Sequence, residues 1–223
     1  MLFNMILAAS LLPLIPQPRT VSEYEPLGDE GYRIEIKNGN ASVFAGTEIG
    51  RLWATRTLAQ LRKSGPLADG VITDCPKYAV RGIVLDVGHK YIPMTYLKKL
   101  VRQMSFYKLN VLHVHLSDNE IEKNPNADWS TKYAAFRLEC ATCPALTAKD
   151  GSYTKDEFRS FMKEAKSLGV TVIPEVDVPA HSLAFTRARP EFASKEYGAD
   201  HFDLSKMDEI LPWLESIFRE YLA

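Results

Sequence analysis

Three short runs of β-branched and aliphatic residues, each closing on ionisable side chains, constrain the fold more than any other feature of this chain. They are 80–87 (VRGIVLDV), 109–118 (LNVLHVHLSD) and 170–176 (VTVIPEV), the last running into Asp177, Pro179 and His181. A helical pattern separates each pair of runs. Pro93 opens the first, with Met94, Leu97, Leu100, Val101 and Met104 on one face. Thr154 and Glu157 make a capping box for the second, which Phe158, Phe161, Met162, Ala165 and Leu168 line and Gly169 closes. Strands alternating with amphipathic helices predict parallel βαβ units, and apolar runs of this kind read as buried strands. Ser205 and Asp208 suggest a further cap, and Pro212 places the start of the last helix near Leu211. A closed (β/α)8 barrel needs at least about 200 residues, more than 76–223 contains. The sheet is therefore a small open one or the first part of a barrel.

The strand ends carry the chemistry. Alternation puts His113 and His115 on one strand face, with Val114 and Leu116 on the other. Buried parallel strands rarely carry histidine, because each ring nitrogen needs a partner. Asp86 with His89, His115 with Asp118 and Glu120, and Glu175 with Asp177 and His181 fall where α/β folds collect reactive groups. Such carboxylate–imidazole sets suit acid–base work or a metal. The pair His113-x-His115 also fits a metal-dependent amidohydrolase-like barrel, which would need histidines and an aspartate from later strands. His201 is the one histidine after His181. A pair of satisfied core histidines is the plain structural reading.

Upstream, 31–45 alternates apolar and polar residues around Asn38-Gly39-Asn40, a hairpin signal. Ile49, Leu52, Trp53, Leu58 and Leu61 then fit a helix that Gly65 ends, and 71–73 adds a strand. This predicts a small α/β domain at 14–75, with the partial barrel at 76–223. Residues 1–13 are apolar, too short for a membrane span, and resemble a signal-peptide core or its remnant, which points to a secreted or periplasmic protein; the competing reading is a first strand from Leu14. A net charge of −1 leaves no footprint for nucleic acid. Cys75, Cys140 and Cys143 support neither a disulfide framework nor a zinc knuckle and are expected as free thiols. Residues 119–152 read as a long irregular insertion.

These residues resemble glycoside hydrolase family 20, the β-N-acetylhexosaminidases. RGIVLDVGHKYIP (81–93), KLNVLHVHLSDNE (108–120) and GVTVIPEVDVPAHS (169–182) are similar to its first three barrel strands. LTAKDGSYTKDEF (146–158) is similar to the segment before a barrel helix, and GYRIEIKNGNASVFAGTEIGRLWATRTLAQL (31–61) to the domain that precedes the barrel. The resemblance implies an α/β fold, the first three or so βα units of a (β/α)8 TIM barrel behind a small α/β domain. It implies removal of terminal N-acetylhexosamine from a glycan by a substrate-assisted retaining mechanism, the exception to the two-carboxylate scheme. No cofactor and no metal is implied. Arg81 would hydrogen-bond sugar hydroxyls. Asp118 and His181 would form a charge-coupled pair beside the catalytic acid, supported by His115, Glu175 and Asp177. Trp53 fits a core position, and Trp129 fits either core or a sugar platform.

The chain departs from the family pattern at three places. His89-Lys90 stands where Arg-His is usual, and Asn119 follows Asp118 where a second aspartate is common. The family's catalytic Asp-Glu pair, in an HxGGDE-like motif on the fourth strand, does not occur in the 223 residues. Asp29-Glu30, Asp156-Glu157 and Asp208-Glu209 fall outside any strand end. The expectation is a hexosaminidase truncated before its acid, inactive alone, with the C-terminal half of the barrel as its missing partner. A non-catalytic carbohydrate-binding or partner protein derived from the family is the alternative.

Overall fold

The computed structural model describes residues 27–222. The signal-peptide reading of 1–13 and a strand at Leu14 lie outside them. The chain divides into two compact units, one reaching to Ala79 and including Phe106–Lys108, the other formed by the rest.

In the first unit, β1 (Tyr32–Lys37) pairs antiparallel with β2 (Asn40–Ala45) across the predicted hairpin, where Asn38 and Gly39 both take positive φ. Helix α1 (Glu48–Ser64) is capped by the Thr47 hydroxyl, and β3 (Gly70–Asp74) joins the other side of β1. Alternate residues Tyr32, Ile34 and Ile36 face Trp53, Ala54 and Leu58 of the helix to form the core. Trp53 is thus a core residue, its indole N–H donating to Glu30 Oε2 at 2.6 Å.

In the second unit, β4 (Gly82–Asp86), β5 (Val111–His115) and β8 (Thr171–Glu175) form a parallel sheet in the order β4-β5-β8. Helices α2 (Met94–Phe106) and α3 (Lys155–Ser167) make the crossovers. Leu112, Val114 and Val172 pack with Leu97, Val101, Met104, Phe158, Phe161 and Ala165. This is the βαβαβ start of a (β/α)8 barrel.

Three expectations are corrected. The runs 80–87 and 170–176 are edge strands with one open face, leaving Val84 66% and Ile173 44% exposed. They read as buried because a barrel strand is apolar on both faces, whichever neighbours are present. The 119–152 segment is not irregular throughout. β6 (Ser117–Asn119) pairs antiparallel with β7 (Ala134–Phe136), and Leu138 bridges to Tyr153. The last helix, α5 (Met207–Leu222), begins before Pro212 rather than at it, while Asp203 caps the preceding turn. It forgoes one backbone bond at the proline, offset by burial of Ile210, Leu214 and Ile217. A short helix, α4 (Leu183–Ala188), lies between β8 and α5.

Candidate active site

Parallel register sets the first row of the site. Asp86, His115 and Glu175, the last residues of their strands, stand opposite one another. His115 Nδ1 lies 3.2 Å from Glu175 Oε2, and His113 Nε2 lies 2.7 Å from the same oxygen. Both histidines are partnered, and they point to the open face of the sheet, where side chains line a barrel.

Asp118 sits just past this row, in β6, with its carboxylate buried. Its Oδ1 accepts the Asn119 N–H at 2.7 Å and lies 3.0 Å from His181 Nδ1. Its Oδ2 lies 2.8 Å from His115 Nε2 and 3.3 Å from His89 Nδ1. One carboxylate is thus shared by three imidazoles. His89 also binds Asp86, ring nitrogen to Oδ2 at 2.6 Å and backbone N–H to Oδ1 at 3.1 Å. Asp177 Oδ2 is 3.4 Å from His181 Nδ1, and its backbone N–H donates to the Ser117 hydroxyl. Asp118, His181, His115, Glu175 and Asp177 therefore meet at one place. Arg81 does not join them through its backbone. It precedes β4, bonded to Asn110 at the amino end of the sheet, and five residues of strand put its Cα about 16 Å from that of Asp86.

The charges follow from these contacts. Burial disfavours the His115 imidazolium, but the Asp118 and Glu175 carboxylates on its two ring nitrogens outweigh that and raise its proton affinity. Partial burial acts to raise the Asp86 pKa, but the His89 backbone and ring bonds prevail and hold it below the usual range.

The segment bearing His181 is held in place by side chains that sequence reasoning passed over. His181 adopts a left-handed φ of 54°, a conformation that persists where the surroundings over-determine it. Ser182 N–H donates to Asp200 O at 2.8 Å, and Leu183 N–H to Asn119 Oδ1 at 3.2 Å. Asn119 is buried and its amide also donates to Glu120 O. It serves as a two-sided linker, which accounts for its place beside Asp118. Arg137 was also missed. It is fully buried, its Nε donating to Val87 O at 2.7 Å and Nη2 to Gly88 O at 3.0 Å. Nη1 donates to Asp150 Oδ1 at 2.6 Å and Gly151 O at 2.8 Å, and Tyr133 Oη accepts from Nη2. It fixes the turn that carries His89. Its one sequence signal is its position between Phe136 and Leu138, weak because a solvated arginine has the same neighbours. Trp129 is half-buried and donates to Pro125 O at 3.1 Å.

A parallel sheet begun as a (β/α)8 barrel, an acid–imidazole cluster at its carboxyl end and a small α/β unit before it in sequence mark the opening part of a barrel domain with a carboxyl-end site. The comparisons agree. The model for the glycosyl hydrolase family 20 catalytic domain matches residues 78–216, and that for domain 2 of the same family matches 16–75. The chain belongs to glycoside hydrolase family 20. It is 35% identical over 176 residues to a beta-hexosaminidase of Akkermansia muciniphila, covering 76% of this chain and 36% of that protein. A beta-hexosaminidase of Vibrio furnissii is 35% identical, with 77% and 30% covered. The crystal structure of a beta-N-acetylhexosaminidase from Bacteroides fragilis superposes with a TM-score of 0.69 at 26% identity, covering 86% of this chain and 40% of that one. The chain spans about a third of the length of the curated relatives it matches. The amidohydrolase reading gains no support, and His113 lies outside the two groups that, among the described residues, are close enough to share a metal.

Proposed function

We propose that this chain supplies the first βα units of a β-N-acetylhexosaminidase and, with them, part of the pocket for a terminal N-acetylhexosamine. The observation that carries this reading is the Asp118 carboxylate lying 2.8 Å from His115 Nε2 and 3.0 Å from His181 Nδ1 at the carboxyl ends of the strands. In substrate-assisted hydrolysis the acetamido oxygen attacks the anomeric carbon while a carboxylic acid protonates the leaving oxygen. That acid must keep its proton near neutral pH. Asp118 and His181 would tune it, with His115, Glu175 and Asp177 supporting their orientation. Arg81 is assigned to the sugar hydroxyls on the family resemblance alone.

Among the described residues no Asp-Glu pair stands at a strand end. General acid–base assistance contributes about 10²- to 10⁴-fold. The chain by itself is therefore expected to leave an aryl N-acetyl-β-glucosaminide unhydrolysed. A chimera continued through the remaining barrel of the Akkermansia relative should hydrolyse it and lose that activity in Asp118→Ala and His181→Ala. A folded chimera that is active but indifferent to both substitutions refutes the assignment. A folded, inactive chimera favours a non-catalytic, glycan-binding or partner protein. Turnover by the short chain, abolished by His181→Ala, would mean that the acid lies within these residues.

A further inference from the structure

The carboxyl-end cluster contains more ligating groups than a tuning pair uses. His115, Asp177 and His181 each offer a ligand atom, and the three atoms lie within 4.8 Å of one another. His181 Nδ1 is buried and makes no hydrogen bond, although Asp118 Oδ1 is 3.0 Å and Asp177 Oδ2 3.4 Å away. The separations suit hydrogen bonds but the directions do not. A buried ring nitrogen left in this state is unfavourable. A cation seated between the nitrogen and the carboxylates would relieve it.

We propose that this cluster binds one divalent transition-metal cation of the zinc class through His115, Asp177 and His181. Two imidazoles and a carboxylate are a zinc-type donor set, with bonds of about 2.0–2.2 Å. Three donors on one tetrahedral ion stand roughly 3.4 Å apart by that geometry, so the present spread closes with small side-chain rotations. The His181 and Asp177 side chains that would make them are both part-exposed. The outer contacts are already in place. Glu175 Oε2 at 3.2 Å from His115 Nδ1 holds the proton there and leaves Nε2 for the metal. Asp118, now on His115 Nε2, shifts to become the fourth ligand or an acceptor beside it. Magnesium and calcium are poor occupants, since they take oxygen ligands.

Metal on His181 Nδ1 and a charge-coupled Asp118–His181 pair exclude each other. On the proposed function, bound zinc would therefore oppose that pairing and take no part in hydrolysis. The inference uses the same residues as the proposed function but does not depend on it, and binding can be measured where no activity exists.

The test uses the full chain, stripped with a chelator. It is titrated with zinc against a chromogenic chelator, and with cobalt(II), whose visible bands report tetrahedral coordination. One equivalent is expected, with magnesium unable to compete. His181→Ala and Asp177→Asn should each weaken binding by about tenfold or more. His201→Ala should leave it unchanged, because His201 pairs with Asp200 outside the donor group. If His181→Ala unfolds by circular dichroism, Asp177→Asn, altering a part-exposed side chain, decides alone. No zinc binding by the wild type overturns the proposal. So does full affinity in Asp177→Asn or competition by magnesium at equal concentration.

Discussion

Replacing Arg137 with methionine keeps most of the volume and removes every donor. The guanidinium is fully buried and bonds the carbonyls of Val87, Gly88 and Gly151, the Asp150 carboxylate and the Tyr133 hydroxyl. Asp150 is 48% exposed on its side chain, so water can replace that bond, and the Tyr133 hydroxyl keeps its bond to Asp150. Val87 and Gly88 are buried, and their carbonyls cannot be rehydrated without opening the turn. Two orphaned buried acceptors at about 1–3 kcal/mol each give roughly 2–6 kcal/mol. Breaking a buried charged pair from one side gives a similar range, about 3–5 kcal/mol. A domain has only about 5–15 kcal/mol in total. Arg137→Met should therefore lower the denaturant midpoint of the second unit sharply. Arg137→Lys, with three donors but no planar fork, should fall between. Hydrogen exchange adds a local readout, because the amides of Val87 and Gly88 both bond His115 O. Their protection should fall in Arg137→Met before that of β5 does. A loss under about 1 kcal/mol, with exchange at 87–89 unchanged, refutes the claim that Arg137 holds this turn.

Further outcomes follow from other parts of the structure. The sheet leaves Val84 and Ile173 exposed on one face and β4 and β8 as edges, a pattern that promotes pairing and aggregation. The 223-residue protein should self-associate in size exclusion, whereas a form completed through the barrel should elute as a sharp species; a monomeric short form with a cooperative melt counts against this. Glu220 loses by burial but gains more from Lys155 and the Ala141 and Thr142 amides, bringing its pKa to about 2. Its contribution is present above its usual range and lost as pH falls towards 2, so the acid limb of a stability–pH curve should flatten in Glu220→Gln. His115 has the opposite sign, since its folded pKa is raised. Its contribution is complete below the unfolded value near 6.5 and fades as pH rises through the folded one. The stability gap between wild type and His115→Gln should therefore be widest in acid and narrow with rising pH; a gap that widens with pH contradicts the contacts to Asp118 and Glu175.

The main strands and helices of this protein, and the order in which they fold back on one another, are written in local residue patterns. The periods of strands and helices are local, so 82–86, 111–115 and 171–175, with the helices between them, were legible from apolar spacing alone. Asp118 and His181 were legible in a different way, through motifs whose resemblance names them, since no local rule says that the two should touch. Tertiary structure decided the rest. Parallel register brought Asp86, His115 and Glu175 into one row. Packing gave Asp118 three imidazoles, His89 joining the expected His181 and the supporting His115. Arg137 and Asn119 became linkers because they bond backbone carbonyls and amides. Those groups are the same in every residue, so the partners of a buried polar side chain leave no trace in the sequence. The open face of the sheet follows from the number of strands, too few to close a barrel, and not from the composition of any one of them. Whether an apolar strand is covered depends on what stands beside it in space, and the strand's own residues do not record that.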